Sequence, residues 1–193
     1  MRRSEVNALV HAAEACFRAH GWALPPRPRW DVTDFGLGDC RRHGLVLVNL
    51  TEQAEYWEKL LWARRGMTTP CHCHRRKKED VICRWGALRV RLWEGHPDTG
   101  PGGTLSVPVN GEPRSLRSGD AVDLAAGERV TIVPGVYHEF VPLSDEAILG
   151  EVSTFNDDAR DNFFADPRAG RHPAIEEDEP PRVRLVWEDR PPR

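Results

Sequence analysis

No long apolar run exists in this chain, and its N-terminus, Met1-Arg2-Arg3-Ser4, carries no apolar signal core. A membrane-spanning helix needs about 20 predominantly apolar residues, and a secretory leader needs an apolar stretch of its own, so neither is expected. Strong charge of one sign is missing too. The formal net charge is −3 and the isoelectric point about 6.2, which implies no general attraction to nucleic acid or to a membrane surface. A disulfide framework is absent: the five cysteines, Cys16, Cys40, Cys71, Cys73 and Cys83, are odd in number and form no paired spacing. That usage points to reduced thiols and a cytoplasmic protein. Nor is there a second Cys/His pair to complete a zinc knot around Cys71-His72-Cys73-His74 and Cys83. No internal repeat is visible, and low complexity is confined to residues 176–181.

What is present, at 193 residues, is enough chain for one domain with a real core. Residues 4–20 predict an amphipathic helix, with Ser4 as N-cap, Val6, Leu9, Val10, Ala13 and Phe17 on one face, and Gly21 as its end. Residues 25–28 form an extended proline-rich connector, and 45–50 a short strand. Residues 51–65 read as helix or irregular chain, with Tyr56, Leu60 and Leu61 favouring helix. From Gly66 onward the pattern turns to β. Leu88, Val90 and Leu92 alternate with Arg89, Arg91 and Trp93, and Asn110-Gly111 signals a type I′ hairpin. Strands follow at 121–124, 129–133, 139–141 and 147–152, and a last one is expected through Val183, Leu185 and Trp187. Many short strands at regular spacing predict a sandwich or barrel.

One stretch carries chemistry. Gly66, His72, His74, Glu79 and Gly86 are followed by Gly127, Pro134-Gly135 and His138. On a strand, residues i and i+2 share a face, so His72 and His74 can reach one ion while Cys71 and Cys73 point away. A turn through Arg75-Arg76-Lys77-Lys78 would return Glu79 to it, and a separate strand would bring His138. Three imidazoles and a carboxylate suit Mn, Fe, Co, Ni or Zn and leave positions open for a ligand.

The two glycine-framed motifs resemble those of the cupin superfamily, whose fold is a double-stranded β-helix or small jelly roll. A narrower resemblance is to the D-lyxose ketol-isomerase family of cupins. It rests on His72-x-His74 with Lys77 and Glu79-Asp80, on Pro134-Gly135-x-Tyr137-His138, and on the segment from Gly150-Glu151-Val152-Ser153 to Phe164. Trp30 to Gly36 and the acidic segment His172 to Glu179 add to it. The fold this implies is mainly β: a single cupin domain, with an N-terminal helix and flanking extension over 1–65, a barrel core with its acidic segment over 66–187, and a tail over 188–193.

The resemblance further implies a manganese-dependent homodimer that interconverts D-lyxose and D-xylulose, and D-mannose and D-fructose, with Co²⁺, Zn²⁺, Fe²⁺ or Ni²⁺ as other candidate ions. Its metal ligands fall on His72, His74, Glu79 and His138. Lys77 takes the catalytic lysine's place, and the proton carrier falls on Glu177 or Glu176. Glu151, Asp157 and Asp158 are candidates for sugar hydroxyls, though such residues also cap turns. Trp85, Trp93 and Tyr137 are expected to pack. A cupin dioxygenase would use the same ligands but would not account for Lys77 and the acidic segment; a non-catalytic sugar-binding cupin would bind sugar without the metal and show no turnover.

Overall fold

The computed structural model describes residues 1–100, 102–154, 157, 160–170, 172 and 174–188. Helix α1 (Arg3–Ala19) buries Val6, Leu9, Val10, Ala13 and Phe17 on one face, as the apolar spacing predicts. It starts a residue earlier than expected. The Arg2 amide donates to the Glu5 carboxylate at 2.8 Å, while Ser4 donates outward to Asp178. Left-handed Gly21 follows the helix.

Two antiparallel sheets face each other. The larger contains β1 (Arg29–Thr33), β2 (Leu45–Glu52), β3 (Trp57–Arg64), β5 (Glu79–Trp85), β7 (Thr104–Val109), β8 (Glu112–Arg117), β10 (Arg129–Ile132) and β12 (Glu146–Ser153), in the order β1-β2-β3-β12-β5-β10-β7-β8. The smaller runs β13-β4-β11-β6-β9, from β4 (His72–Cys73), β6 (Ala87–Glu94), β9 (Ala121–Ala125), β11 (Val136–Pro142) and β13 (Phe163–Phe164). A one-turn helix, α2 (Cys40–His43), precedes β2. This is the cupin double-stranded β-helix. The Asn110-Gly111 hairpin forms between β7 and β8, both residues taking positive φ as a type I′ turn requires. The inner faces of both sheets bury Leu88, Val90, Leu92, Val122, Leu124 and Val130.

Two expected elements differ. Residues 57–64 are strand β3, not helix, paired with β2 on one side and β12 on the other. Lys59 to Ala63 are all buried, because the barrel interior covers one face and the α1 side the other. The strand therefore shows no alternation in sequence. The expected last strand reduces to one parallel bridge between Leu185 and Trp30. The Glu188 amide returns to the Leu185 carbonyl at 3.1 Å, turning the chain away. No helix among the described residues is long and apolar enough to cross a membrane.

Candidate functional site

Strand register brings the histidines together. His138 on β11 lies directly across from His72 on β4, with ring centroids 4.3 Å apart. His74, just past β4, has its ring 5.5 Å from that of His138. One nitrogen from each of the three lies within 4.8 Å of the others. Glu79 arrives from the facing sheet, as the first residue of β5. Its Oε1 stands 2.9 Å from His138 Nε2 and 3.6 Å from His74 Nε2. All four residues are buried.

The tautomers follow from the neighbours. Each Nδ1 lies against a backbone carbonyl: His72 on Pro70 at 2.8 Å, His74 on Asp161 at 2.6 Å, His138 on Val136 at 3.1 Å. A carbonyl can only accept, so Nδ1 carries the proton and Nε2 keeps its lone pair. Nε2 of His74 and of His138 is buried without a hydrogen-bond partner. Buried nitrogen lone pairs aimed at one point, with their rings fixed from behind, are what a divalent ion needs. Burial pushes His72 well below the ordinary imidazole value and His74 down to about 4, so both rings are neutral at physiological pH. For Glu79, burial alone would favour the neutral acid, but the Lys77 ammonium beside it holds it well below the usual carboxylate range.

Behind the histidines runs a row of buried charges. Lys77 Nζ is 2.5 Å from Glu79 Oε2 and 3.0 Å from Glu151 Oε1, and Lys59 Nζ is 3.1 Å from the same Glu151 oxygen. Two carboxylates and two ammonium groups balance within one pocket. Removing one member of such a buried pair typically costs about 3–5 kcal/mol. The structure thus takes Lys77 out of its basic run and into the site, while Lys78 stays exposed. Asp161 shapes the turn that does this: its carboxylate accepts from the amides of Arg75, Arg76 and Lys77. The same pocket is lined by Phe35, Leu45, Leu47, Asn162 and Phe164.

The other candidates fall elsewhere. Glu176 and Glu177 do not line this pocket. Glu177 is gripped by Arg3 at 2.6 and 2.8 Å, and Glu176 lies 3.8 Å from Arg2 on the surface. The proton-carrier position expected at Glu177 or Glu176 thus lies away from the histidines: parallel pairing of Arg2 with Glu176 ties the segment to the start of α1. Asp157 uses its carbonyl to close a turn on the Arg160 and Asp161 amides, and Asp158 lies outside the described residues. Cys71 and Cys73 stay out of the histidine group. Tyr137 sits on their side of the sheet, against His96, Trp85 stacks on His20, and Trp93 lies under Arg91. Lys59 and Phe35 were not singled out in the sequence as site residues. Of these, Lys59 alone left a signal, as the one charge inside the buried run of β3.

Fold and site define a cupin-type barrel with a buried three-histidine group suited to a divalent metal. A model of the D-lyxose isomerase family matches residues 27–189. The chain is 31% identical to a D-lyxose/D-mannose isomerase of Escherichia coli O157:H7, over 98% of this chain and 99% of that protein. It is 34% identical to a D-lyxose ketol-isomerase of Cohnella laeviribosi, over 93% and 100%. Among solved structures, L-ribose isomerase of Cellulomonas parahominis with L-psicose superposes with a TM-score of 0.69 at 19% identity, over 91% of this chain and 98% of that one. At that identity the likeness shows the fold alone. The chain belongs to the D-lyxose isomerase family.

Proposed function

We propose that this protein is a divalent-metal-dependent aldose–ketose isomerase acting on D-lyxose and D-xylulose, with D-mannose and D-fructose as a second pair, through an enediol. The observation that carries this reading is the convergence of three buried, backbone-locked imidazoles and Glu79 beside the Lys77–Glu151 pair. The names of the relatives support the sugars. His72, His74, Glu79 and His138 would hold the ion, with Mn²⁺ as first choice and Co²⁺, Zn²⁺, Fe²⁺ or Ni²⁺ compatible with the same donors. When bound, the ion supplies Lewis-acid polarisation of the sugar carbonyl and stabilises the charge that develops on its oxygens.

The chain's own groups do the rest. Isomerisation removes a proton from C2, delivers one to C1, and moves another from O2 to O1. Glu151, held at Oε1 by both lysines, takes the C2 proton and returns it to C1. It replaces Glu176 and Glu177 in that role because it lines the pocket and they do not. Lys77 donates to the oxygen that gains charge. Reduced thiols and the family resemblance support a cytoplasmic homodimer.

The test is to strip the protein with EDTA, restore Mn²⁺, and follow D-lyxose to D-xylulose conversion in D₂O. Activity should vanish and return with the ion, and deuterium should appear at C1 or C2. Oxygen consumption without isomerisation would sink the reading.

A further inference from the structure

The pocket has a chemical gradient that the reaction alone does not require. Across the larger sheet the order β1-β2-β3-β12-β5 sets Glu151 and Glu79 at one end of the pocket. Leu47 and Leu45 on β2, and Phe35 just past β1, stand at the other. With neighbouring strands about 4.8 Å apart, β12 and β1 are separated by roughly 14 Å. With C1 and C2 of a sugar beside Glu151 and Lys77, the rest of the pocket lining that its far carbons can reach includes Leu47, Leu45 and Phe35.

That far end is closed by two rings. Phe35 follows β1, the edge strand of the larger sheet, and Phe164 sits on β13, the edge strand of the smaller. The rings meet edge to face at 5.8 Å and 70°, and Phe164 leans on His72 at 5.6 Å. The pair therefore joins the seam between the sheets to the metal-facing wall.

Phe35 is held there against its backbone preference. It takes φ +57, a left-handed conformation that a bulky residue seldom adopts. Local hydrogen bonds enforce it. The Phe35 amide donates to Thr33 Oγ1 at 2.8 Å, the Gly36 amide to Asp34 Oδ1 at 3.0 Å, and the Gly170 amide to the Phe35 carbonyl at 2.8 Å. Thr33, Asp34 and Phe35 are all buried. Glycine would fit this φ without strain. A phenylalanine standing at a glycine-favouring position points to the ring as the part being used.

We infer that Phe35, braced by Phe164, is a specificity-determining residue: the end wall that sets the length of sugar the pocket accepts, favouring five carbons over six. The inference rests on the isomerase reading. It concerns the end of the substrate remote from the chemistry, so the ring touches the sugar without taking part in proton transfer.

The experiment uses the Mn²⁺-loaded full chain and two variants. Phe35→Gly removes the ring and relieves the left-handed strain. Phe35→Leu keeps a smaller side chain if the first fails to fold, with melting and far-UV circular dichroism to confirm both. One methylene in an apolar pocket changes discrimination by about 10–200-fold. The kcat/KM ratio of D-mannose to D-lyxose should therefore rise by about tenfold in Phe35→Gly and by less in Phe35→Leu. A purely structural ring would lower both sugars in parallel, and an unchanged ratio in both variants overturns the inference. Calorimetry with D-arabinitol and D-mannitol separates this from the isomerase reading. If wild type turns over neither sugar, that reading fails. The end wall then stands only if Phe35→Gly still tightens the six-carbon polyol relative to the five-carbon one, and falls if it does not.

Discussion

Two of the clusters where acidic and basic side chains meet among the described residues behave in opposite ways. In the pocket, Glu79, Lys77, Glu151 and Lys59 form an unbroken row of contacts from 2.5 to 3.1 Å with every member largely withdrawn from solvent. At the start of α1, Arg3 is buried, but its partner Glu177 keeps 56% of its side chain exposed and Glu176 keeps 72%. Asp178 holds Ser4, and Glu179 holds Asn7. The second cluster fastens the C-terminal segment to a helix. Charge composition alone cannot separate the two; only the low dielectric of the first turns its charges into chemistry.

The sharpest break in the comparison is Glu151→Gln. The amide keeps the shape and can still bond to one lysine, but it cannot carry a proton. Turnover of D-lyxose should fall by about 10²–10⁴-fold, with Mn²⁺ binding by calorimetry close to wild type. Full activity in this variant would remove the pocket row from the mechanism.

How the sequence foretold these clusters is uneven for physical reasons. The histidines were legible because strand geometry turns an i, i+2 spacing into a shared face, and the hairpin because Asn-Gly dictates its own turn. Lys59 was hidden within β3, whose two buried faces erase alternation. Glu151 was legible as a candidate but not as a partner of Lys77, since that contact joins residues far apart in the chain. The acidic run at 176–179 misled because its company with the site exists in the sequence and not in space. Asp161, inside the Gly150 to Phe164 segment that carries the family resemblance, proved to be the cap that folds the Lys77 turn.

Acid should separate the two clusters. With His74 pushed down to about 4 and His72 also lowered, both by burial, the unfolded chain binds protons near pH 6.5 that the folded chain refuses. The unfolded state therefore holds more protons across that window, and stability falls as pH falls from about 6.5 toward 4. His74 alone amounts to about 3 kcal/mol. At the helix, Glu177 is lowered by its hydrogen bonds to Arg3, and Asp178 by those from Ser4. Lowered carboxylates stabilise at pH above their ordinary value and lose that contribution only below about 4.5. Urea unfolding of the EDTA-treated protein should show a marked loss of stability between pH 7 and 5. Over the same range the Arg3 amide, bonded to the Glu176 carbonyl at 2.8 Å, should keep its protection from hydrogen exchange. Equal loosening of both regions in that range would erase the distinction.

The smallest expected effect discriminates best between the two clusters. Glu177→Gln, alone or with Glu176→Gln, changes groups that stand on the surface and face Arg3 and Arg2 rather than the pocket. Exposed substitutions away from a site change equilibria little, so kcat and KM for D-lyxose should stay within about twofold of wild type. Because Arg3 also contacts Glu188, the segment should remain docked in the single variant. A hundredfold fall in kcat, with the segment still docked by hydrogen exchange, would give the proton-carrying role back to the acidic segment. Glu151 would then be the residue that merely holds the two lysines in place.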